Sequence, residues 1–448
     1  MTSIKKVLLL SAVYLLGIQA QAQETSQFNL KQCVDYALKT NLDLMKSKLD
    51  EQNVSNKINE YRSSGLPQIN GFATFNDNIL IPSQLVPGEI FGAAPGSFIP
   101  VKFGVHYSVS AGIDVQQLVY SQQYFTGLKT ARKAEEISQL STEQLKSVLM
   151  YNVAGMFYQA QIFKVQLRLL NDNYDRVKKI TEVAENQYKN DLIKKLDLDQ
   201  LYVNKRNLES DIQNAEMAYQ QQINGLKILM GMSLKDSLSL VTDSLQADSK
   251  AYPAEFSVQN NIAQKLLNSQ LEFQELQYQT NRAGYFPSLL LNASTSINGQ
   301  FDKFKFDKQG SFNRFPNMLV GFTLNVPIFD GLKRSFSLKQ KKVEIAKLNL
   351  DIEQTQNQLD IKYQNAVYTI DQNKIKLLQQ TENLRFAQQL YDAVKFTYNE
   401  GLSGINELIN AENGLKAAQN NYLASLLQIK LAELDELNIK GDLTQLIQ

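Results

Sequence analysis

The chain has 448 residues, 46 Lys and Arg against 45 Asp and Glu, one histidine and one cysteine, for a formal net charge of +1. Acids and bases are interspersed, so there is neither a basic block for nucleic acid nor a disordered acidic tail. With Cys33 the sole cysteine, a disulfide framework within the chain is impossible, and HExxH, CxxC and zinc clusters are excluded.

The N-terminus reads as a secretory signal peptide over 1–22: Lys5 and Lys6, an apolar run Val7–Ile18, then the small-x-small site Ala20-Gln21-Ala22. Gln23 follows, so cleavage exposes no cysteine for a lipid anchor, and no later stretch is apolar for the ~18 residues a membrane helix needs.

The mature chain then reads as two copies of one plan: helix, strand, loop, strand, very long helix, break, returning helix. Arg62 and Pro67 match Arg282 and Pro287 at an offset of 220, while "YKNDLIKKLDL" (188–198) matches "YNEGLSGINEL" (398–408) at 210. Repeat one is placed at 23–232 and repeat two at 255–448. The Ser/Asp-rich stretch 233–254, ending near Pro253, is the linker between them.

In repeat one, a strand over 68–76 has Phe72 and Phe75 on opposite faces. The loop 79–100 is unusually apolar, and 103–119 alternates Phe103, Val105, Tyr107, Val109, Ala111, Ile113 and Val115 with Gly104, His106, Ser108, Ser110, Gly112 and Asp114. This period of two is longer than the ~5–6 residues of a soluble strand and has the pattern of a transmembrane barrel strand. His106, on the polar face, reads as structural. Repeat two shows the alternation at Leu289, Leu291, Ala293 and Ile297, and again at Val320, Phe322, Leu324, Val326 and Ile328, around a loop at 300–316.

Each repeat continues into a proline-free helical stretch, 122–189 and 332–399, on the order of 100 Å long at 1.5 Å per residue. Near the breaks, Tyr174, Val177, Thr181, Ala184 and Tyr188, and likewise Leu384, Ala387, Tyr391, Val394 and Tyr398, step by 3 and 4 as in a coiled-coil seam. Four strands cannot close a barrel, since single-chain barrels start at about 8 strands, and an open sheet edge cannot lie in lipid. Either the strands lie outside a membrane, in a periplasmic coiled-coil adaptor or scaffold, or several copies share one barrel.

The order of these pieces resembles the TolC-like outer-membrane factors, the outer membrane efflux protein family. The resemblance rests on "LPQIN" and "FPSLLLN" at strand starts, "VPIFDG" running into a long helix, and the returning helix from "YNEGLSGINEL" to "LAELDEL". It implies an α+β membrane protein. Its long periplasmic coiled-coil hairpins are joined to four transmembrane strands per chain, and a homotrimer makes a twelve-stranded barrel in the outer membrane of a diderm bacterium. The implied function is a passive exit duct in tripartite efflux or type I secretion, meeting a periplasmic adaptor protein and an inner-membrane pump. No catalysis, cofactor, metal or nucleic acid enters that picture, and the pump rather than the duct selects the cargo.

The resemblance also points to residues. The breaks become periplasmic tips, with Asn190, Asp191 and Leu192 in one turn and Gly401, Leu402 and Gly404 in the other, meeting the adaptor. Gly401 suits a helix stop; repeat one lacks that glycine, so Asn190 or Asp191 must take the left-handed conformation. Glu407 falls where the family has a constricting carboxylate, and Asn410 falls on the next acidic position. Asp197 matches an aspartate that accepts a hydrogen bond from the tyrosine at Tyr398. Ser403 replaces a basic latch residue. Asp197 and Glu407 are also plain helix-start acids, favourable at an N-terminus without any gating role.

Overall fold

The computed structural model describes residues 27–241, 256–302 and 313–447. The signal peptide 1–22, residues 242–254 of the linker and residues 303–312 of the second loop lie outside them. In chain order, strand β1 (Gln27–Phe28) precedes helices α1 (Leu30–Thr40) and α2 (Leu42–Ser63). Strands β2 (Gln68–Asp77), β3 (Ser83–Pro87), β4 (Phe98–Lys102) and β5 (Tyr107–Ser121) lead into α3 (Gln122–Lys189) and α4 (Lys195–Met230). Then come β6 (Ser239–Leu240), α5 (Ile262–Ala283), β7 (Ser288–Phe301), β8 (Asn313–Asn325), α6 (Lys333–Asn399) and α7 (Ile405–Lys440). Among the described residues no helix is long and apolar enough to cross a membrane.

The chain divides into two compact units. One comprises Asp50–Ser138 and Asn268–Leu350, the other Met1–Leu49, Gln139–Leu267 and Asp351–Gln448. The first holds a four-stranded antiparallel sheet in the order β2-β5-β7-β8. Its register carries the alternation across all four strands. Ile69 pairs with Val115, Val115 with Ala293 and Ala293 with Val320; Ile113 pairs with Thr295 and Thr295 with Met318. Because side chains alternate with period two, these residues share one face with Ile297, Phe322 and Leu324. The opposite face is polar and internally bonded. Ser110 Oγ donates to Asn298 Oδ1 at 2.7 Å, Gln116 Nε2 to Asn292 Oδ1 at 3.3 Å and Asn292 Nδ2 to Thr323 Oγ1 at 2.9 Å. At one end of the sheet Phe75, Tyr107 and Phe301 stack, with centroids 5.9 and 5.4 Å apart. β2 and β8 are the outer strands, each with one neighbour.

The structure differs from the sequence expectations at several element ends. β5 begins at Tyr107, not 103: Gly104 turns at φ 140°, and the strands on both sides stop opposite Tyr107, at Asp77 and Phe301. His106 therefore precedes the strand. β8 stops at Asn325, before Pro327, which has no N–H to give a ladder, so Val326 and Ile328 lie beyond it. The apolar segment 79–100 is not a plain loop: β3 and β4 pair as a hairpin around a short 3-10 turn at Gly88–Phe91. The second long helix starts at Lys333, because Leu332 sits at φ 68°.

The other unit is helical. Its largest core gathers Cys33, Val34 and Ala37 of α1 with Val153 and Phe157 of α3, Leu226 and Met230 of α4, and Leu434 and Leu437 of α7. Parallel β1–β6 pairing seals one side of it. Two corners of this unit are built alike. Asn41 Nδ2 donates to the Leu229 carbonyl at 2.9 Å and Asn261 Nδ2 to the Ile439 carbonyl at 3.0 Å. α4 and α7 both end on a left-handed glycine, Gly231 at φ 66° and Gly441 at φ 77°. In the seam near the breaks Val177, Thr181, Ala184 and Tyr391 are all at 2% exposure or less, whereas Tyr174, Leu384, Ala387, Val394 and Tyr398 are half-buried and Tyr188 is exposed.

Candidate functional site at the hairpin tips

Both helix breaks use the same backbone device. Leu192 N–H donates to the Gln187 carbonyl at 2.9 Å and Asp191 N–H to the Tyr188 carbonyl at 3.0 Å. The counterparts are Leu402 to Thr397 at 2.8 Å and Gly401 to Tyr398 at 3.0 Å. This paired pattern satisfies the last carbonyls of a helix and needs one left-handed residue. Gly401 takes it at φ 72° and Asp191 at φ 56°. Asn190 stays outside that role, its Nδ2 donating to the Asn186 carbonyl at 2.7 Å. The apical leucines, Leu192 and Leu402, are exposed. An added Cβ at Gly401 meets nothing within 4 Å. Gly401→Asp is thus expected to shift stability by less than about 1 kcal/mol, Asp191 being its precedent in the other tip. Thermal unfolding followed by circular dichroism checks this.

The return helices begin alike too. Asp197 and Glu407 each hold the third helical position, after Lys194 and Gly404, neither of which makes a side-chain cap. Tyr398 Oη donates to Gln187 Oε1 at 3.4 Å. The expected hydrogen bond from Tyr398 to Asp197 is not formed within the chain; the aspartate is near enough only for its charge to matter. Burial first, and then that charge, push the Tyr398 hydroxyl above its ordinary pKa. Ser403 is occupied inside its own turn, with its Oγ 3.0 Å from Thr397 Oγ1. Glu407 and Asn410 are exposed and border an open groove of about 610 Å³ between α6 and α7, floored by Ala387, Val394, Ala411 and Leu415.

A buried polar cluster was missed by sequence reasoning. Arg176 Nη2 lies 3.2 Å from Glu412 Oε1 and also bonds Asn173 Oδ1, while Asn173 Nδ2 donates to Gln419 Oε1 at 3.1 Å. The Arg176 guanidinium sits 5.4 Å from the centre of the Tyr391 ring. Arg176 Nε, Glu412 Oε2 and Tyr391 Oη have no partner. Burial raises the Glu412 carboxyl, with Arg176 pulling it down, and pushes Tyr391 up to about 12. A signal was available: Ile405, Leu408, Glu412, Leu415 and Gln419 step by 3, 4, 3 and 4, which places Glu412 and Gln419 in a core seam. Among the described residues no group of His, Cys, Asp and Glu could hold a metal ion.

Residues 261–435 match the family model described as outer membrane efflux protein. No curated protein sequence matches the chain. Among solved structures, that of CusC, described in terms of folding and transmembrane channel formation, is similar at 17% identity and TM-score 0.74, covering 93% of each chain. The Campylobacter jejuni CmeC outer membrane channel is similar at 15% identity and TM-score 0.71, over 92% of this chain and 85% of that one. The open-state Neisseria gonorrhoeae MtrE outer membrane channel is similar at 16% identity and TM-score 0.71, over 92% and 88%.

Proposed function

We propose that this chain, whose residues 261–435 match the outer membrane efflux protein family model and whose fold is similar to that of outer membrane channels, is the passive exit duct of a tripartite efflux or type I secretion system. The observation that carries the reading is the sheet. One face is apolar across four strands, the other is polar and hydrogen-bonded, and among the described residues both outer strands lack a second neighbour. Such a sheet suits lipid on one side and a watery lumen on the other, provided its edges are closed. Three copies, with twelve strands, close it. The mature chain is then two repeats, 23–232 and 255–448, joined by the linker 233–254, with the signal peptide 1–22 removed. The similarly built Asn–Gly corners and tip turns support that duplication.

In this assembly the helical hairpins stand in the periplasm, and Leu192 and Leu402 at their apices meet an adaptor protein that links to an inner-membrane pump. Glu407 repeats around the three-fold axis as a carboxylate ring at the entrance; such rings favour cations. Asp197, near Tyr398 but not bonded to it, closes the entrance loosely. The energy for transport comes from the pump.

Mass determination of the detergent-solubilised protein, together with planar-bilayer conductance, tests the duct. A trimer with small resting conductance is expected; a water-soluble monomer without channel activity removes the barrel and the gate together. Within a trimer, Asp197→Ala is expected to raise the resting conductance several-fold. Unchanged conductance leaves Asp197 as a helix-start acid only.

A further inference from the structure

Between Ile79 and Phe103 the only charged residues are Glu89 and Lys102. The segment stands at the end of the sheet away from the helices, since β2 follows α2 and β5 runs into α3. The stacked rings of Phe75, Tyr107 and Phe301 mark that end. Their register with Ile69, Val115 and Ala293 puts all three on the apolar face. Aromatic residues in this place suit the level where a barrel meets the membrane surface. The hairpin begins just past them, and its base is pinned: Asn78 N–H donates to the His106 carbonyl at 2.7 Å and Asn78 Nδ2 to the Val105 carbonyl at 2.9 Å. Within the hairpin, Leu85, Pro87, Phe98 and Pro100 share one face, and all four are exposed. The turn adds Ile90 and Phe91, also exposed. Gly88 N–H donates to the Ser97 carbonyl at 2.7 Å, so by antiparallel alternation Pro87 and Pro100 hold positions whose N–H would point outward. Glu89 is held inside the turn, its Oε1 accepting from Gly96 N–H at 3.0 Å. Lys102 is exposed at the base, opposite Ser83.

We propose that the β3–β4 hairpin lies on the outer lipid leaflet beside the barrel. Its Leu85–Phe98 face and the Ile90–Phe91 turn sink to the boundary between headgroups and acyl chains. The proposal rests on the duct reading above, in which the apolar face of the sheet meets lipid, and gives the chain a second lipid contact outside the barrel wall. Four features commit the face to lipid. It follows directly in the chain from the aromatic end of the lipid-facing side of the sheet. Leu85, Pro87, Phe98 and Pro100 offer no side-chain donor or acceptor, whereas a protein interface makes about one hydrogen bond per 100–200 Å². A second copy adding a strand would need the outward row of N–H groups, which Pro87 and Pro100 interrupt. Against lipid the same prolines remove donors that would find no partner. Lastly, Lys102 at the base of this face meets anionic headgroups while the apolar turn goes deeper, as in segments that lie in a membrane interface.

The chain has no tryptophan, so a single introduced one reports alone. The full chain carrying Phe98→Trp is reconstituted in vesicles of phosphatidylcholine and phosphatidylglycerol. The acyl chains are plain, brominated near the glycerol, or brominated near the methyl end. Met318→Trp, on the apolar face of β8, and Thr74→Trp, on the polar face of β2, are the reference positions. Phe98 and Met318 are exposed, so both substitutions leave the fold intact. Bromine quenches an indole only at contact. Phe98→Trp is expected to lose emission, more to the shallow bromines than to the deep ones. Met318→Trp should lose it in the reverse order, and Thr74→Trp should keep it. If Phe98→Trp keeps its emission while Met318→Trp is quenched, the hairpin contact is overturned and the duct stands. The hairpin then faces water or, if the emission is blue-shifted, another protein surface. If neither is quenched, the sheet is not in lipid and both readings fall.

Discussion

Arg176→Ala is expected to destabilise the helical unit by about 3 kcal/mol at pH 8, because removing one partner of a buried ion pair strands the other. Glu412 is only 3% exposed, and its Oε2 already lacks a partner, so the variant leaves a buried carboxylate with no hydrogen bond at all. The Arg176 side chain keeps 28% of its surface, which holds the expected loss at the low end of the range for such pairs. The loss depends on pH in a definite direction. Burial already raises the Glu412 carboxyl, and Arg176 is the largest influence pulling it down. Without the arginine the folded-state pKa rises further. A folded acid with a raised pKa binds its proton more tightly than the unfolded chain does. Its stabilising effect is therefore complete below the unfolded value and is lost as pH rises through the folded one. The deficit of Arg176→Ala should shrink as the pH is brought down from 8 towards 5. Amide hydrogen exchange across 170–180 and 408–420, compared with the unmodified chain at the two pH values, reads this. A deficit that is equal at both, or absent, removes the buried-pair account. Replacing Arg176 and Glu412 together by leucine should recover most of the loss, since two apolar side chains leave no charge to strand.

Gly231→Ala is expected to cost about 3 kcal/mol, well above the about 1 kcal/mol expected for Gly401→Ala, although the two glycines have nearly the same backbone conformation. Gly231 sits at φ 66° and Gly401 at φ 72°, so a side chain meets left-handed strain at either position. The surroundings separate them. A Cβ at Gly231 would lie 2.4 Å from the Thr40 carbonyl oxygen, whereas one at Gly401 meets nothing within 4 Å. Thr40 cannot yield easily: it closes α1, and its Oγ1 reaches the Tyr36 and Met230 carbonyls. Gly441 repeats the arrangement, with the added atom 2.9 Å from the Asn260 carbonyl oxygen, and Gly441→Ala should rank between the two. Thermal unfolding of the three variants gives the order. If Gly231→Ala and Gly401→Ala are equally mild, the close approach of the corner does not limit this position.

Much of the architecture was legible along the chain because it depends on periodicity. Alternation of apolar and polar residues marks β5 and β7 wherever a strand has two neighbours, and the absence of proline from 122–189 and 333–399 permits helices of that length. The tip turns were legible for a similar reason: a left-handed residue must end a helix that turns back at once, and Gly401 and Asp191 are of the types that accept it. What depends on neighbours was not. The start of β5 at Tyr107 is set by where β2 and β7 end, and the folding of 79–100 into a hairpin by the pairing of Ser83 with Lys102 through Pro87 with Phe98. Tyr398 finds Gln187 rather than Asp197, because a hydroxyl can reach only what the packed helices bring within about 3.5 Å of it.

The sequence alone therefore determined the element types and the two-faced character of the strands, since each is written in local spacing and side-chain type. Only the tertiary structure decided that α7 is buried on two stripes and α4 on one, and that Arg176 and Glu412, 236 residues apart, share a desolvated site. That difference lies in which helix faces another: the 3-4 spacing marks Glu412 as a seam position, but not which helix covers it.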